Sequence, residues 1–490
     1  MDFLDPKRSK SHQIRLLIGY FLVAIAVALG ALILLFQSYG YDIDRKSGKI
    51  IQNGLVFVSS TPDNAQIYLN GELNKAATDT KLTIPAGQYI VELKKDGYRD
   101  WRRSISLEGG SVERLTYPLL IPTQLTTADV QLYATAPYFA TQSPDRRWLL
   151  IWPTAALSAV DIFDTTAIDQ APESLAFAAD LFTPAGTAHS LEVLEWSKNN
   201  RHLLMKHTYD NASEFVLVDR EVPSESINLT RRLGNAVTMM SLRDKEFDQL
   251  YILEKASMRL SIYNLNTQAI QGLLENVVDY RSRGPDVILY TSADSAATTP
   301  TTLFKIWDGT ANFTLRSFPT EPKYLFDLAK NDGDWVVALG PTSGSHIYIY
   351  KNPVEQLKSK DKLLVPLSVL KIDKPTSLIF SSSTAYIMAQ SNDKFAVYDY
   401  EADRRFYYDL KAAFSDTLPA KWMDEDRLSV NVDAKTYIFD FDGSNPQSLT
   451  PTIAGFSPYF NRDYSRVLNI GPSVIVPGRF ALTETSLRTQ

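Results

Sequence analysis

The chain has 490 residues, no cysteine, and 50 Lys and Arg against 56 Asp and Glu, for a net charge of −6. Without cysteine there are no disulfide staples, thiolate metal sites or cysteine nucleophiles, and the dispersed basic residues make no stripe for nucleic acid. Aromatic residues are abundant (25 Tyr, 23 Phe and 7 Trp), which favours strands.

Residues 16–36 read LLIGYFLVAIAVALGALILLF, without charge or proline. At the helical rise such a run spans roughly 30 Å, the hydrocarbon thickness of a bilayer. The run predicts a single-pass transmembrane helix rather than a cleaved signal, because Ser38-Tyr39-Gly40 is a poor cleavage site. Lys7, Arg8, Lys10 and Arg15 precede the span; Arg45, Lys46 and Lys49 follow it, behind Asp42 and Asp44. This bias keeps residues 1–15 in the cytoplasm as a short tail and places everything else outside. Tyr39 and Tyr41 sit where interfacial aromatics belong. Ala24-x-x-x-Ala28 and Ala26-x-x-x-Gly30 offer a small-residue seam for a homodimer. A cysteine-free exported chain fits a bacterial envelope, so the acceptor triplets at Asn211, Asn228 and Asn312 read as chance matches.

Residues 37–53 are polar and mixed in charge, a tether. From residue 54 the pattern becomes period-two apolar alternation broken by turns. Leu55-Val56-Phe57-Val58 is one run; Ala65-Gln66-Ile67-Tyr68-Leu69 is the next and ends at Asn70-Gly71, a two-residue hairpin signal. Further runs lie at 82–84, 89–93, 105–107 and 112–115, so 54–121 reads as a small all-β domain. Ser59-Ser60-Thr61-Pro62-Asp63-Asn64-Ala65, with Pro85-Ala86-Gly87-Gln88-Tyr89 and Lys95-Asp96-Gly97-Tyr98, resembles a PEGA domain. The family's name-giving tetrapeptide corresponds to Pro62-Asp63-Asn64-Ala65, where Asn64 replaces glycine and still tolerates a left-handed turn. The resemblance implies a β-sandwich of envelope proteins and a role against wall material. It transfers no functional residue, since the shared positions are turn-formers.

Over residues 122–490 a longer unit recurs: a polar turn, an apolar strand, a gap, and a second strand ending in Asp or Asn. Ser143-Pro144-Asp145 leading to Trp148-Leu149-Leu150-Ile151, then Val160-Asp161-Ile162-Phe163-Asp164, is one copy. Trp196-Ser197-Lys198-Asn199-Asn200 leading to Leu203-Leu204, then Phe215-Val216-Leu217-Val218-Asp219, is another. Eight copies starting about 40–50 residues apart predict a seven- or eight-bladed β-propeller. The Ser-Pro-Asp and Trp-Ser starts, and Tyr437-Ile438-Phe439-Asp440-Phe441-Asp442-Gly443, resemble TolB-type propeller repeats.

No constellation points to catalysis or a cofactor. Asp440, Asp442, Gly443 and Asn445 begin like a calcium loop, but its twelfth position is Pro451, so a hairpin turn is expected. Of His12, His189, His202, His207 and His346, the third and fourth fall on opposite faces of one strand, wrong for a shared metal. Ser343 and Ser345 with His346 lack a nucleophile elbow. Glu192, Glu195, Asp424, Glu425 and Asp426 are the acids from which a glycosidase pair would be drawn. The expectation is therefore an all-β, membrane-anchored, non-enzymatic envelope protein whose propeller binds or scaffolds a protein or cell-wall glycan. The alternative is a surface glycan hydrolase or lyase with carboxylates in the propeller channel. A signalling receptor fits less well, since a 15-residue tail holds no output domain.

Overall fold

The computed structural model describes residues 6–38, 40–43, 50–184, 186, 188–359, 363–411 and 418–489. It divides into two compact units, Met1–Gln124 and Leu125–Gln490.

In the first unit, helix α1 runs over Pro6–Ser38, past both ends of the apolar run. Within it Gln13–Phe36 is long and apolar enough to cross a membrane, and none of its apolar window is buried. The helix gives way at Gly40, whose φ of +77° suits only glycine; a Cβ there would lie 2.8 Å from the Asn53 carbonyl oxygen. Strand β1 (Tyr41–Ile43) pairs antiparallel with the start of β2 (Ile50–Val58), both inside the stretch expected to be a bare tether. Tyr39, Asp44, Arg45, Lys46 and Lys49 lie outside the described residues, and so does the side chain of His12.

The remaining strands of this unit are β3 (Gln66–Leu69), β4 (Glu72–Ala77), β5 (Thr80–Pro85), β6 (Gly87–Lys94), β7 (Trp101–Leu107) and β8 (Val112–Leu115). One sheet has the order β1-β2-β5 with β8 parallel to β2; the other is β4-β3-β6-β7. Alternation builds the core: in β7, Trp101, Arg103, Ile105 and Leu107 are buried while Arg102, Ser104 and Ser106 face out. Val56, Ile67, Val91, Leu93 and Leu115 meet Trp101 between the sheets. Asn70 and Gly71 both have positive φ (52° and 84°), the hairpin that their sequence predicts, and Asn64 is left-handed at 56°. Strand β4 escapes a sequence reading because Glu72, Asn74 and Lys75 give it no apolar face.

The second unit is a β-propeller. Among the described residues it holds eight four-stranded antiparallel sheets. The first consists of Phe139–Gln142, Trp148–Trp152, Ala159–Asp164 and Glu173–Ala176, and six more meanders follow in chain order. The eighth takes three strands from Tyr459–Phe460, Arg466–Pro472 and Phe480–Ser486, and its outermost strand is β9 (Thr127–Tyr133). That ladder closes the ring and leaves no long edge open.

Each sheet's middle strands are sandwiched between neighbours, so they are continuous apolar runs. In Trp148–Trp152, Leu150 and Trp152 pack with Leu203, Met205 and Val216 of the second sheet. Leu149 and Ile151 pack with Leu468, Ile470 and Leu482 of the eighth.

Four of the turns that open the repeats share one hydrogen-bonding pattern. Ser143 Oγ accepts from the Trp148 amide (2.9 Å), Ser197 Oγ from His202 (2.9 Å), Ser381 Oγ from Tyr386 (3.1 Å) and Asn461 Oδ1 from Arg466 (2.9 Å). The fourth residue of each turn is left-handed: Arg146, Asn200, Thr384 and Tyr464. The Asp that ends the third strand is used just as regularly. Asp164 accepts from the Thr166 amide and from Arg147, and Asp219 from the Val222 amide and Arg201, because a strand end leaves amides that a short carboxylate can cap.

Candidate functional site

The first strands of the sheets lie nearest the propeller axis. Asp279–Arg283 touches Tyr324–Asn331, which touches Ser377–Phe380, and His189–Trp196 touches Val237–Leu242. Of the five acids singled out in the sequence, Glu195 stands on this inner ring. Its Oε2 accepts from the Leu242 amide at 2.5 Å, and burial raises its carboxyl pKa against the opposing pull of Lys245 and Arg283. Asp327, on the first strand of the fifth sheet and so three sheets further round the ring than Glu195, is the acid that sequence reasoning missed. Burial raises it as well, and Arg283 and Arg281 act against that shift. Each residue is half-buried.

The other acids do not join Glu195, although Glu192 is on the same strand. Glu192 is exposed. Asp424 pairs with Arg427 at 2.5 Å and caps the Asp426 and Arg427 amides. For Glu425 burial is outweighed by hydrogen bonds from Ser382 and Ser383, so its pKa falls below the ordinary carboxylate range. Asp424, Glu425 and Asp426 therefore belong to a turn between strands, not to Glu195.

The Asp440 motif is a hairpin turn between strands Lys435–Asp440 and Gln447–Pro451. Asp440 accepts from Asn445, and Asp442 from Ser444. Gly443 has φ +81°, and a Cβ there would collide with the Tyr408 ring. Ser345 Oγ lies 2.9 Å from His346 Nδ1, while the Ser343 hydroxyl donates to Glu321.

His202 and His207 do fall on opposite faces of strand His202–Tyr209. His202 stacks on Phe247 at 4.0 Å, and His207 bonds Glu214 at 2.8 Å. His207 also lies 2.9 Å from His189. The pair arises because His189 is opposite Tyr209 in the ladder, one same-face step from His207. Sequence spacing alone does not reveal it. Among the described residues, no three His, Asp or Glu side chains converge as a metal site.

A groove of about 640 Å³ runs between the outer parts of the fifth and sixth sheets. Its walls carry Lys371, Lys394 and Lys411, all exposed, with His346, Asp373, Asp409 and Tyr407. Tyr407 is 50% exposed, while Tyr408 beside it stacks on Phe395 at 5.2 Å and is held inward. Alternation along strand Arg404–Asp409 thus turns one phenol ring to solvent and the next to the core. Three ammonium groups against two carboxylates leave the groove modestly positive. No spacing signal marks it, because its lysines come from two strand ends and from the loop after a third strand.

Residues 53–121 match the PEGA domain. The match covers the sandwich and none of the propeller. No curated protein matches the chain. Solved structures resemble the fold, propellers among them. The C-terminal WD40 domain of Sif2 is 9% identical with a TM-score of 0.45, covering 74% of this chain and 99% of that one. The Dos1 propeller is 13% identical with a TM-score of 0.45, covering 74% and 95%. Dipeptidyl peptidase 4 of Porphyromonas gingivalis is 11% identical with a TM-score of 0.43, covering 70% and 57%. At such distances no activity carries over; the propeller assignment stands on the strand order itself.

Proposed function

We propose that the protein is a single-pass, membrane-anchored binding protein of a bacterial cell envelope, non-enzymatic, with its N-terminus in the cytoplasm. The observation that carries the reading is Gln13–Phe36, a 24-residue helical segment whose apolar window is fully exposed in a chain whose other apolar runs are buried in sheets. Such a surface is stable in a bilayer and not in water. The basic cluster of Lys7, Arg8, Lys10 and Arg15 supports the orientation. Each of the eight sheets is counted as one blade, and the propeller supplies a rigid, broad face.

The groove supplies the partner's chemistry. Ammonium groups attract carboxylates or phosphates, and an exposed phenol ring stacks on a sugar face. An anionic cell-wall glycan meets both requirements. Full-length protein in detergent micelles should co-sediment with purified wall glycan, more weakly at high salt, and at least tenfold more weakly when Lys371, Lys394 and Lys411 are all changed to Ala. Binding indifferent to both salt and the triple variant would discard the groove as the site. Protease added to intact spheroplasts should digest the propeller; protection would reverse the orientation.

A second reading, a glycan hydrolase or lyase, has one observation in its favour. Glu195 and Asp327 share the inner ring, and burial favours the protonated form of each, a state that a general acid requires. Arg283 acts on both and opposes that state. Glycan turnover by the wild type that disappears in Glu195→Gln would replace the binding reading.

A further inference from the structure

We propose that His189 and His207 form a binding site for one divalent transition-metal ion, with Glu214 as the group that orients His207. Glu214 is buried and accepts four hydrogen bonds. Oε1 takes the Thr183 amide (2.7 Å) and His207 Nδ1 (2.8 Å); Oε2 takes the Thr183 hydroxyl (2.7 Å) and Asn228 Nδ2 (2.7 Å). A carboxylate with four donors around it donates nothing, so the proton of the His207 ring sits on Nδ1. The lone pair of Nε2 is thereby aimed away from Glu214, at His189 Nδ1 2.9 Å off. Tyr138 Oη stands 3.1 Å from that same His189 nitrogen. Two ring nitrogens therefore face each other, and Tyr138 covers them: its ring stacks on His189 at 4.7 Å and its hydroxyl donates to the His189 carbonyl oxygen at 2.7 Å.

This is the arrangement in which a carboxylate orients a metal-binding imidazole through its far nitrogen. Tetrahedral zinc holds two imidazole nitrogens about 3.3 Å apart, so the pair has only to open slightly. The two rings lie at 87° to each other, which lets both lone pairs converge on one ion. On binding, the His189 proton passes from Nδ1 to Nε2 and that ring stays neutral. His189 and Tyr138 are half-buried whereas His207 is fully buried. The ion therefore enters from the His189 side, and water completes its coordination. The residues come from the first and second sheets, whose packing fixes their spacing.

The test uses full-length protein in detergent, purified through a tag without histidine, with Zn²⁺ followed by calorimetry and Co²⁺ by its visible spectrum. One Zn²⁺ per chain should bind, and Co²⁺ should give the intense absorption of a tetrahedral site. His207→Gln alters a fully buried ring, so His189→Gln, at a half-buried position, carries the decision. Its circular dichroism should match the wild type while Zn²⁺ affinity falls at least tenfold. Glu214→Gln should weaken binding roughly 10–100-fold, and His346→Ala should leave it unchanged. Absence of stoichiometric binding, or binding that survives His189→Gln, overturns the proposal.

Discussion

At the scale of single residues, the propeller depends on small polar groups placed where strands begin. Ser143, Ser197 and Ser381 each accept an amide five residues on, and removing the hydroxyl leaves that amide without its partner. Ser197→Ala and Ser381→Ala should each lower stability by about 1 kcal/mol, with similar values despite lying in different sheets; urea unfolding measures this. Trp101, 2% exposed at the centre of the sandwich, matters more, because its loss would empty a large volume of core. Trp101→Ala should cost about 3–5 kcal/mol, read from the unfolding of the sandwich. The turns at Ser143 and Ser197 were legible in the sequence, because turn chemistry is local, whereas Trp101 was not, since the apolar alternation read there began only at Ile105. The contact between His189 and His207 was not. It depends on how far strand His189–Trp196 slides against His202–Tyr209, and a ladder register is fixed by packing. Asp327 was missed for a related reason: nothing in Phe326-Asp327-Leu328 says that its strand lies innermost.

At the scale of elements, the middle strands of each sheet could be read because burial on both faces makes them long apolar runs. Their outer and inner companions could not. Lys421–Trp422 has two residues and Glu173–Ala176 four, too short and too polar for any periodicity to show. Strand β1 hid inside a polar stretch for the same reason. β9 was hidden differently, since its partner lies at the other end of the propeller's sequence. Deleting residues 125–134 removes the outermost strand of the eighth sheet and bares the edge of Phe480–Ser486. The expected outcome is aggregation and loss of a single cooperative melting transition, followed by light scattering and calorimetry. Deleting residues 1–38 should instead leave the melting of the propeller unchanged.

At the scale of the whole molecule, the inner acids set a pH dependence. Burial raises Glu195 and Asp327 above their ordinary values of 4.5 and 3.8, so the folded protein holds these protons more tightly than the unfolded chain. Their contribution is fully present below the unfolded pKa values and is lost as pH rises through the raised folded ones. Relative to wild type, Glu195→Gln with Asp327→Asn should therefore gain stability as pH increases from about 4; urea midpoints across pH give the difference. The closing ladder has a further consequence, for biosynthesis. Thr127–Tyr133 leaves the ribosome some 350 residues before Phe480–Ser486. At roughly 5–20 residues per second the wait is about 20–70 s. During that interval the earliest strand of the propeller is complete while the neighbour it must join does not yet exist, so the ring is sealed last by the first strand made.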